Sequence, residues 1–532
     1  MYSEEMLQSI RRVEAARAAN MVSEPRRMTA AEKEALLKEF HPDYRDTGFG
    51  VLRAGISAGD KVPTELLELL EGRSRVAGLD LDLNSPDYDV DVLVIGGGGA
   101  GSSAAIEAHE AGASVMMVTK LRLGDANTMM AEGGIQAADK ANDSPAQHYL
   151  DAFGGGHYAA VPELLKKLVM DGPGAIRWLN GLGVEFDKDD DGAMVTTHGG
   201  GTSRKRMHAA ADYSGAEIMR TLRDEVWNRQ IPVVDFTAAI ELLLDKNGHA
   251  AGAVLLNMET GEHKIARAKT VVLATGGAGR LHYQGFPTSN HYGATADGLA
   301  LGYRAGVPLL YADTLQYHPT GAAFPLQIYG ALVTEKVRSM GAMLVNARGE
   351  AFMHPLETRD VSAASIIREC RERGNGVETP EGSAVWLDTP MIDMLHGEGM
   401  LEKRLPGMLR MFLKYDIDMR KVPILVYPTL HYQNGGLRID ARGETAVKGL
   451  FVAGEAVGGI HGRNRLMGNS LLDIIVFGRT AGKSAASDSR GVELAEPSLE
   501  HVRKYMDELA AAGVRSEVES PKLLPHYANK RP

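Results

Sequence analysis

Polar and apolar positions along the chain fall into two registers. Near the amino terminus, "SEEMLQSIRRVEAA" and "TAAEKEALLKEF" repeat apolar residues at helical spacing, which predicts short amphipathic helices, the second with Thr29 as its N-cap. Turn-rich "HPDYRDTGFG" separates them from "VPTELLELLEG", so residues 1–88 read as a helical extension. It either packs on the chain's own body or docks a partner, and the sequence leaves both uses open. From Asp89 the pattern changes to short apolar runs that end in glycine. Asp89 to Ile95 is a predicted strand, a small-residue helix follows the turn "GGGGAG", and Ser114 to Val118 is a second strand, which together make a βαβ unit. Two later runs, "KTVVLATGGAGR" and "KGLFVAGEAVGG", are built the same way. Near the carboxyl end only "PSLEHVRKYMDELAAAG" carries a helical pattern.

The first glycine turn has the spacing Gly96, Gly98, Gly101. Glycine there permits a tight turn and close backbone approach, so a pyrophosphate can sit on the N-terminus of the following helix, where N–H groups and the helix dipole favour anions. The second strand ends in Thr119 and Lys120, where the general rule expects an acidic residue for the ribose. The other two clusters, Ala274 to Gly277 and the run ending in Glu455, are each ordinary sheet architecture when taken singly. With one dinucleotide turn, the three indicate a flavin fold.

Composition narrows the setting. The chain has 532 residues, 44% hydrophobic and 24% charged, ordinary for a globular protein with more than one domain. A formal charge of -11, spread rather than blocked, disfavours nucleic acid as a partner. The single cysteine, Cys370, excludes internal disulfides and cannot hold a cysteine-ligated iron-sulfur cluster, so a one-electron carrier belongs on another chain. No metal site is expected. No apolar run approaches the roughly 20 residues of a membrane helix, and the start lacks a signal peptide's order, so the expected location is cytoplasmic.

From about Asp89 to about Ala485 the chain resembles the flavoprotein subunits of succinate dehydrogenase and fumarate reductase, a superfamily that includes L-aspartate oxidase. The resemblance rests on "VIGGGGAG", "AEGGIQAA", "ATGGAG", "DTLQYHPTG", "LVTEKVR", "TRDVSAASI", "PTLHYQNGG", "FVAGEAVGGIHGRNRLMGNSLLD" and "VFGR", in that order. It implies an α/β fold: a glutathione-reductase-like FAD-binding Rossmann domain in two segments, 89–314 and 428–490, interrupted by an α+β capping domain at 315–427. A short C-terminal helix and tail, 491–532, would follow. It also implies FAD contacts from Thr128, Gly133, Gly134, Ala274, Thr275, Gly276, Asp297, Glu455, Arg465, Ser470 and Leu471. Membrane-bound members carry Ser-His-Thr before the "A-(E/Q)-G-G" turn, and that histidine is bonded to the flavin. Asn127 stands there in "LGDANTMMAEGG", so the FAD is expected to be noncovalent.

The family's dicarboxylate site maps onto His318, Thr334, Glu335, Arg359, His431 and Arg465. Two arginines and two histidines suit two carboxylates, and arginine's planar fork can pair with one bidentately. The resemblance assigns hydride delivery to the flavin, proton donation to Arg359, and its reprotonation to Glu335 and then Arg338. A subunit that interconverts fumarate and succinate, or a related dicarboxylate, within a larger complex containing an iron-sulfur or other redox partner is the leading expectation. L-aspartate oxidase and a noncatalytic flavin relay are the alternatives. Three departures stand out. Met340 replaces a glutamate in "RSMGA". Where aspartate oxidases place a glutamate before a Gly-Gly pair, "TTHGGGTS" offers Gly199 or His198. Neither is anionic, nor is either the phenylalanine of succinate dehydrogenases, which leaves room for a larger dicarboxylate. The C-terminal region is also shorter than the family's usual helical domain.

Overall fold

The computed structural model describes residues 2–527; Met1 and residues 528–532, the outer ends of the extension and tail, lie outside them. A seven-stranded sheet forms its centre. Tyr88–Ile95 pairs in parallel with Val115–Val118 on one side and His263–Leu273 on the other. Val233–Val234 continues the parallel edge, and Leu450–Val452 pairs with the end of His263–Leu273. An antiparallel meander, Ala250–Asn257 and Thr237–Leu244, completes the sheet. The parallel strands are covered on both faces, which is why they read as unbroken apolar runs. Register places Ile95 and Val452 on either side of Leu273, so the three glycine-ending runs stop together and their loops open one crevice. Helix Gly99–Glu110 leaves that crevice, and the small residues along it let helix Asn469–Asp488 lie close by, Gly478 against Ala100 and Gly482 against Ala104.

A second sheet is antiparallel, in the order Leu315–Ala322, Ile424–Gln433, Gly382–Asp388, Met343–Val345, with Val377–Thr379 paired to Gly382–Asp388. It has its own apolar core, including Val333, Leu344, Leu387 and Phe412. Ile424–Gln433 is one continuous strand that crosses the expected limit at residue 427. Its last residues reach back to the main body, where Tyr432 Oη donates to Asp473 (3.2 Å) and the Gln433 amide to Glu455 (2.9 Å), so the strand that carries His431 is bonded to both parts.

The extension packs on the chain itself. Helix Glu4–Val22, capped by Ser3, buries Met6, Ile10 and Val13 against Val345, Trp386 and Leu425 of the second sheet, and Arg17 pairs bidentately with buried Asp388. Helix Ala30–Phe40 starts at Thr29 in a reciprocal capping box with Glu32 and sets Leu36 and Leu37 on Val361 and Ala364 of helix Arg359–Arg371. Leu52, Leu66, Leu69 and Leu70 then enter the main core. Of the two uses left open by the sequence, these apolar faces serve the chain's own body. The extension is also less purely helical than its pattern: it contains the short strands Phe49–Val51, Lys61–Pro63 and Arg73–Ser74. The last pairs with Glu519–Ser520, beyond the expected helix Glu500–Ala511. No helix is long and apolar enough to cross a membrane among the described residues.

Candidate active site

The crevice at the strand ends widens into a cleft. Its floor is the first glycine turn. Gly96 holds φ at +122°, and a side chain there would strike the Ala274 carbonyl; one at Gly101 would strike the Gly96 carbonyl. Helix Gly99–Glu110 begins with Gly98, which has no side chain to cap it; the Thr128 hydroxyl accepts the Gly99 amide (3.1 Å), and the positive end of the helix opens on the cleft, where it favours a ligand anion. Thr275 lines the cleft with a buried hydroxyl that has no protein partner among the described residues. This cradle suits a dinucleotide.

Thirteen of the expected cofactor residues are walls of this cleft: Gly96, Gly98, Thr119, Lys120, Asn127, Thr128, Ala274, Thr275, Gly276, Asp297, Glu455, Ser470 and Leu471. Four are not, namely Gly101, Gly133, Gly134 and Arg465. Gly101 supports the turn from behind, Gly133 abuts Met467, and Gly134 abuts the His208 carbonyl, so the absence of a side chain there serves packing. Asn127 joins three loops. Its Nδ2 donates to Asn290 Oδ1 (2.9 Å) and Glu455 Oε2 (3.1 Å), and its Oδ1 accepts from the His291 amide (2.5 Å).

His431 lines the inner end of the cleft and faces His318 across 5.0 Å between ring centres. Behind them lies a buried cationic cluster. Arg359 donates from Nε to Glu335 Oε2 (2.7 Å) and from Nη1 to Gln316 Oε1 (2.9 Å). Arg465 donates from Nη2 to the same Gln316 oxygen (2.8 Å), from Nη1 to Ser470 Oγ (2.8 Å), and lies over the Tyr432 ring at 4.3 Å. The Gln316 amide nitrogen donates to Asn464 Oδ1 and the Arg465 carbonyl, which fixes its orientation. Thus one glutamine holds two guanidinium groups side by side. Glu335 Oε1 accepts the Gly200 amide at 2.6 Å, and a side chain at Gly200 would overlap that oxygen. Arg338 reaches Glu335 at 3.6 Å, beyond hydrogen-bond length, and donates to the Pro355 carbonyl at 2.7 Å. Thr334 is buried at the entry to helix Lys336–Ser339, where its hydroxyl accepts the Lys336 amide.

Charge follows from this geometry. Burial alone would raise the Glu335 carboxyl, but Arg359, Arg338 and the Gly200 amide hold it below its ordinary value, so it is a carboxylate. Burial, then the neighbouring Arg359, pushes both His318 and His431 well below the ordinary imidazole value, so both rings are neutral. His318 Nδ1 accepts from the Thr320 amide, which puts its proton on Nε2. Burial and Arg359 also lower Arg465. Arg338, Arg359 and Arg465 outnumber the carboxylate Glu335, with Glu455 also acting on Arg465, so the cluster keeps a positive excess that a dicarboxylate would offset.

Of the seven residues expected at the reacting centre, Arg338, Arg359, Arg465, Glu335, His318 and Thr334 are buried, and His431 is half-buried where it lines the cleft. Sequence reasoning missed Gln316, Gly200, Asn464 and Asp360. Gln316 carried a readable signal, since it lies two residues before His318 on a strand and so shares its face. Asp360 accepts from His157 (2.7 Å) and Asn464 (3.3 Å), tying the Arg359 helix to the main body. Of the two positions considered for an anion, Gly199 packs toward Met207, and the adjoining Gly200 meets Glu335 instead. Met340 packs into the core of the second sheet.

An FAD binding domain pattern matches residues 91–471. The chain is 38% identical over 415 residues to a fumarate reductase (CoM/CoB) subunit of Methanothermobacter marburgensis, covering 76% of this chain and 73% of that protein. It is 37% identical over 404 residues to the L-aspartate oxidase of Streptomyces coelicolor, covering 73% and 67%. The structure matches that of E. coli quinol fumarate reductase with a TM-score of 0.72 and 32% identity, over 80% of this chain and 74% of that one. The cleft, the cationic cluster and these likenesses agree: the chain is an FAD-dependent oxidoreductase that belongs to the family of fumarate reductase and succinate dehydrogenase flavoprotein subunits and L-aspartate oxidases.

Proposed function

We propose that the protein interconverts fumarate and succinate, or a closely related dicarboxylate, with Arg359 as the proton donor. The charge excess of the buried cluster carries this reading. Bound FAD would supply or accept the hydride at one substrate carbon. The chain's residues do the rest. Arg465, His431, His318 through its Nε2–H, and Thr334 hold the two carboxylates and draw electron density away from the double bond. Arg359 has Nε and Nη1 fixed by Glu335 and Gln316, so its Nη2 is the donor free for the substrate. An arginine is a weak acid, yet a carbanion-like carbon is a far stronger base than neutral guanidine, and placement offsets weakness. The proton returns through Glu335, which touches Arg359 directly, and from Arg338 behind it.

An amino-acid substrate would need an anion for its ammonium group. Glu335 is already bonded to Arg359 and Gly200, which favours the dicarboxylate over aspartate. Turnover driven anaerobically by reduced viologen, scanned over fumarate and its substituted relatives, tests the reading; aspartate-dependent peroxide formation in air exceeding fumarate turnover would overturn it. The lone Cys370 is buried, and with no second cysteine the chain needs a redox partner for one-electron supply, so we read it as the catalytic subunit of a larger complex.

Two further outcomes are expected. Asn127 offers no atom for a flavin bond and is fully engaged by protein groups, so acid precipitation should release all the flavin into the supernatant; colour retained on the polypeptide contradicts this. Glu335→Gln should lower kcat by about a hundredfold and leave the fumarate Kd within about fivefold. A carboxyl held below its ordinary value stays ionised until the pH falls through that depressed value. Parent kcat should therefore stay level as the pH falls to the ordinary carboxyl range and decline only below that range, and the variant should lack that acid limb.

A further inference from the structure

We propose that the C-terminal tail, residues 519–527, is a working part of the FAD site: it clamps the Lys120–Asp297 pair and thereby fixes the adenosine end of the cleft. The inference rests on FAD occupying that cleft. Lys120 follows the second strand of the βαβ unit, the place where the ribose of the adenosine half is met. An acid is the usual residue there, and a lysine without a partner would put an uncompensated charge at the ribose. Here Lys120 Nζ is paired with Asp297, bonds Thr295 Oγ1 at 2.7 Å, and donates to the backbone carbonyl of Leu523 at 2.7 Å.

Leu523 grips both members of the pair. Its carbonyl also accepts from Thr295 Oγ1 (3.0 Å), while its amide donates to Asp297 Oδ1 (3.1 Å). It does so at φ +68°, a left-handed conformation that a leucine seldom adopts, with its side chain buried in an apolar cluster. Such backbone strain persists only where surrounding contacts hold it. Those contacts are on both sides. Upstream, Glu519–Ser520 pairs with Arg73–Ser74, and Arg304 donates to the Ser520 carbonyl. Downstream, the Pro525 carbonyl accepts from Tyr292 Oη (2.9 Å), and Tyr527 Oη lies 3.0 Å from both Arg280 Nη1 and His282 Nε2.

Gly293, Ala294 and Asp297 form the wall of the cleft at this end, on a stretch of chain without strands. The tail backs this wall without lining the cleft itself, so its residues act by positioning. FMN lacks the adenosine half and does not reach that end. Flavin affinity should therefore separate the two halves: a chain ending at Ser520 should bind FAD at least about tenfold more weakly than the full chain, with FMN affinity unchanged within about twofold. Tyr527→Ala, which keeps the chain full length, should weaken FAD by about threefold and leave FMN unchanged. Fluorescence titration of the flavin-free protein reads both. FAD affinity within about twofold of the parent in both variants overturns the proposal, and so does parallel loss of FAD and FMN, which marks general loosening. A full-length chain that binds neither flavin overturns the reading of the cleft and the proposal with it.

Discussion

Replacing Arg359 with alanine is expected to abolish turnover while FAD and fumarate still bind. Its guanidinium is held by Glu335 and Gln316 on two nitrogens, so the third is aimed by the protein rather than by the substrate. A proton donor acts in the transition state, and its loss lowers kcat far more than ground-state affinity. The expected fall is at least about a thousandfold, with the fumarate Kd within about tenfold because Arg465, His318 and His431 remain. Arg359→Lys keeps a positive charge beside buried Glu335, so it separates lost catalysis from an uncompensated carboxylate. It should fold as the parent does and still be at least about a hundredfold slower, since an ammonium cannot hold Glu335, Gln316 and the substrate with one planar fork. Turnover of Arg359→Ala within about tenfold of the parent would assign the acid to another group.

Arg465→Ala should behave differently, damaging binding and rate together. In the proposed reaction this guanidinium would pair with the substrate in the ground state as well as the transition state, so its removal should raise the fumarate Kd by about a hundredfold and lower kcat/KM by at least as much. The residue also orders its surroundings: without it Gln316 loses one of two donors, Ser470 loses a partner at the start of helix Asn469–Asp488, and the Tyr432 ring loses its cation. Flavin absorbance titrated with fumarate gives the affinity, and viologen oxidation gives the rate. An unchanged Kd would place the carboxylate clamp elsewhere.

Much of this was legible in the sequence because the chemistry sits where local pattern is strong. The βαβ turn is written in contiguous residues, and the three apolar runs ending in glycine indicate a flavin fold, while the crevice they share appears only with their register. The arm helices were equally readable from spacing and from Thr29, yet their destination was not, because Met6, Ile10 and Val13 meet Trp386 and Leu425 only through tertiary packing. Gln316, Gly200 and Asp360 were missed for a related reason: a neutral amide, a backbone N–H and a helix-start aspartate look ordinary until the fold sets them against Arg359, Glu335 and His157. Gly133 and Gly134 show the reverse, a glycine pair whose neighbours are Met467 and His208 rather than the cleft. The pairing of Glu519–Ser520 with Arg73–Ser74 joins opposite ends of the chain through strands too short to show periodicity.

Above all, this chain alone should pass electrons from its flavin to a dicarboxylate, with Arg359 providing the proton. Anaerobic stopped-flow mixing of the photoreduced protein with fumarate tests this without any partner present. The parent should regain the absorbance of oxidised flavin in a single fast phase that saturates with fumarate, and Arg359→Ala should bind fumarate but remain reduced over the same interval. A parent that stays reduced under fumarate yet reoxidises at once in air, or an Arg359→Ala chain that reoxidises as fast as the parent, would contradict it.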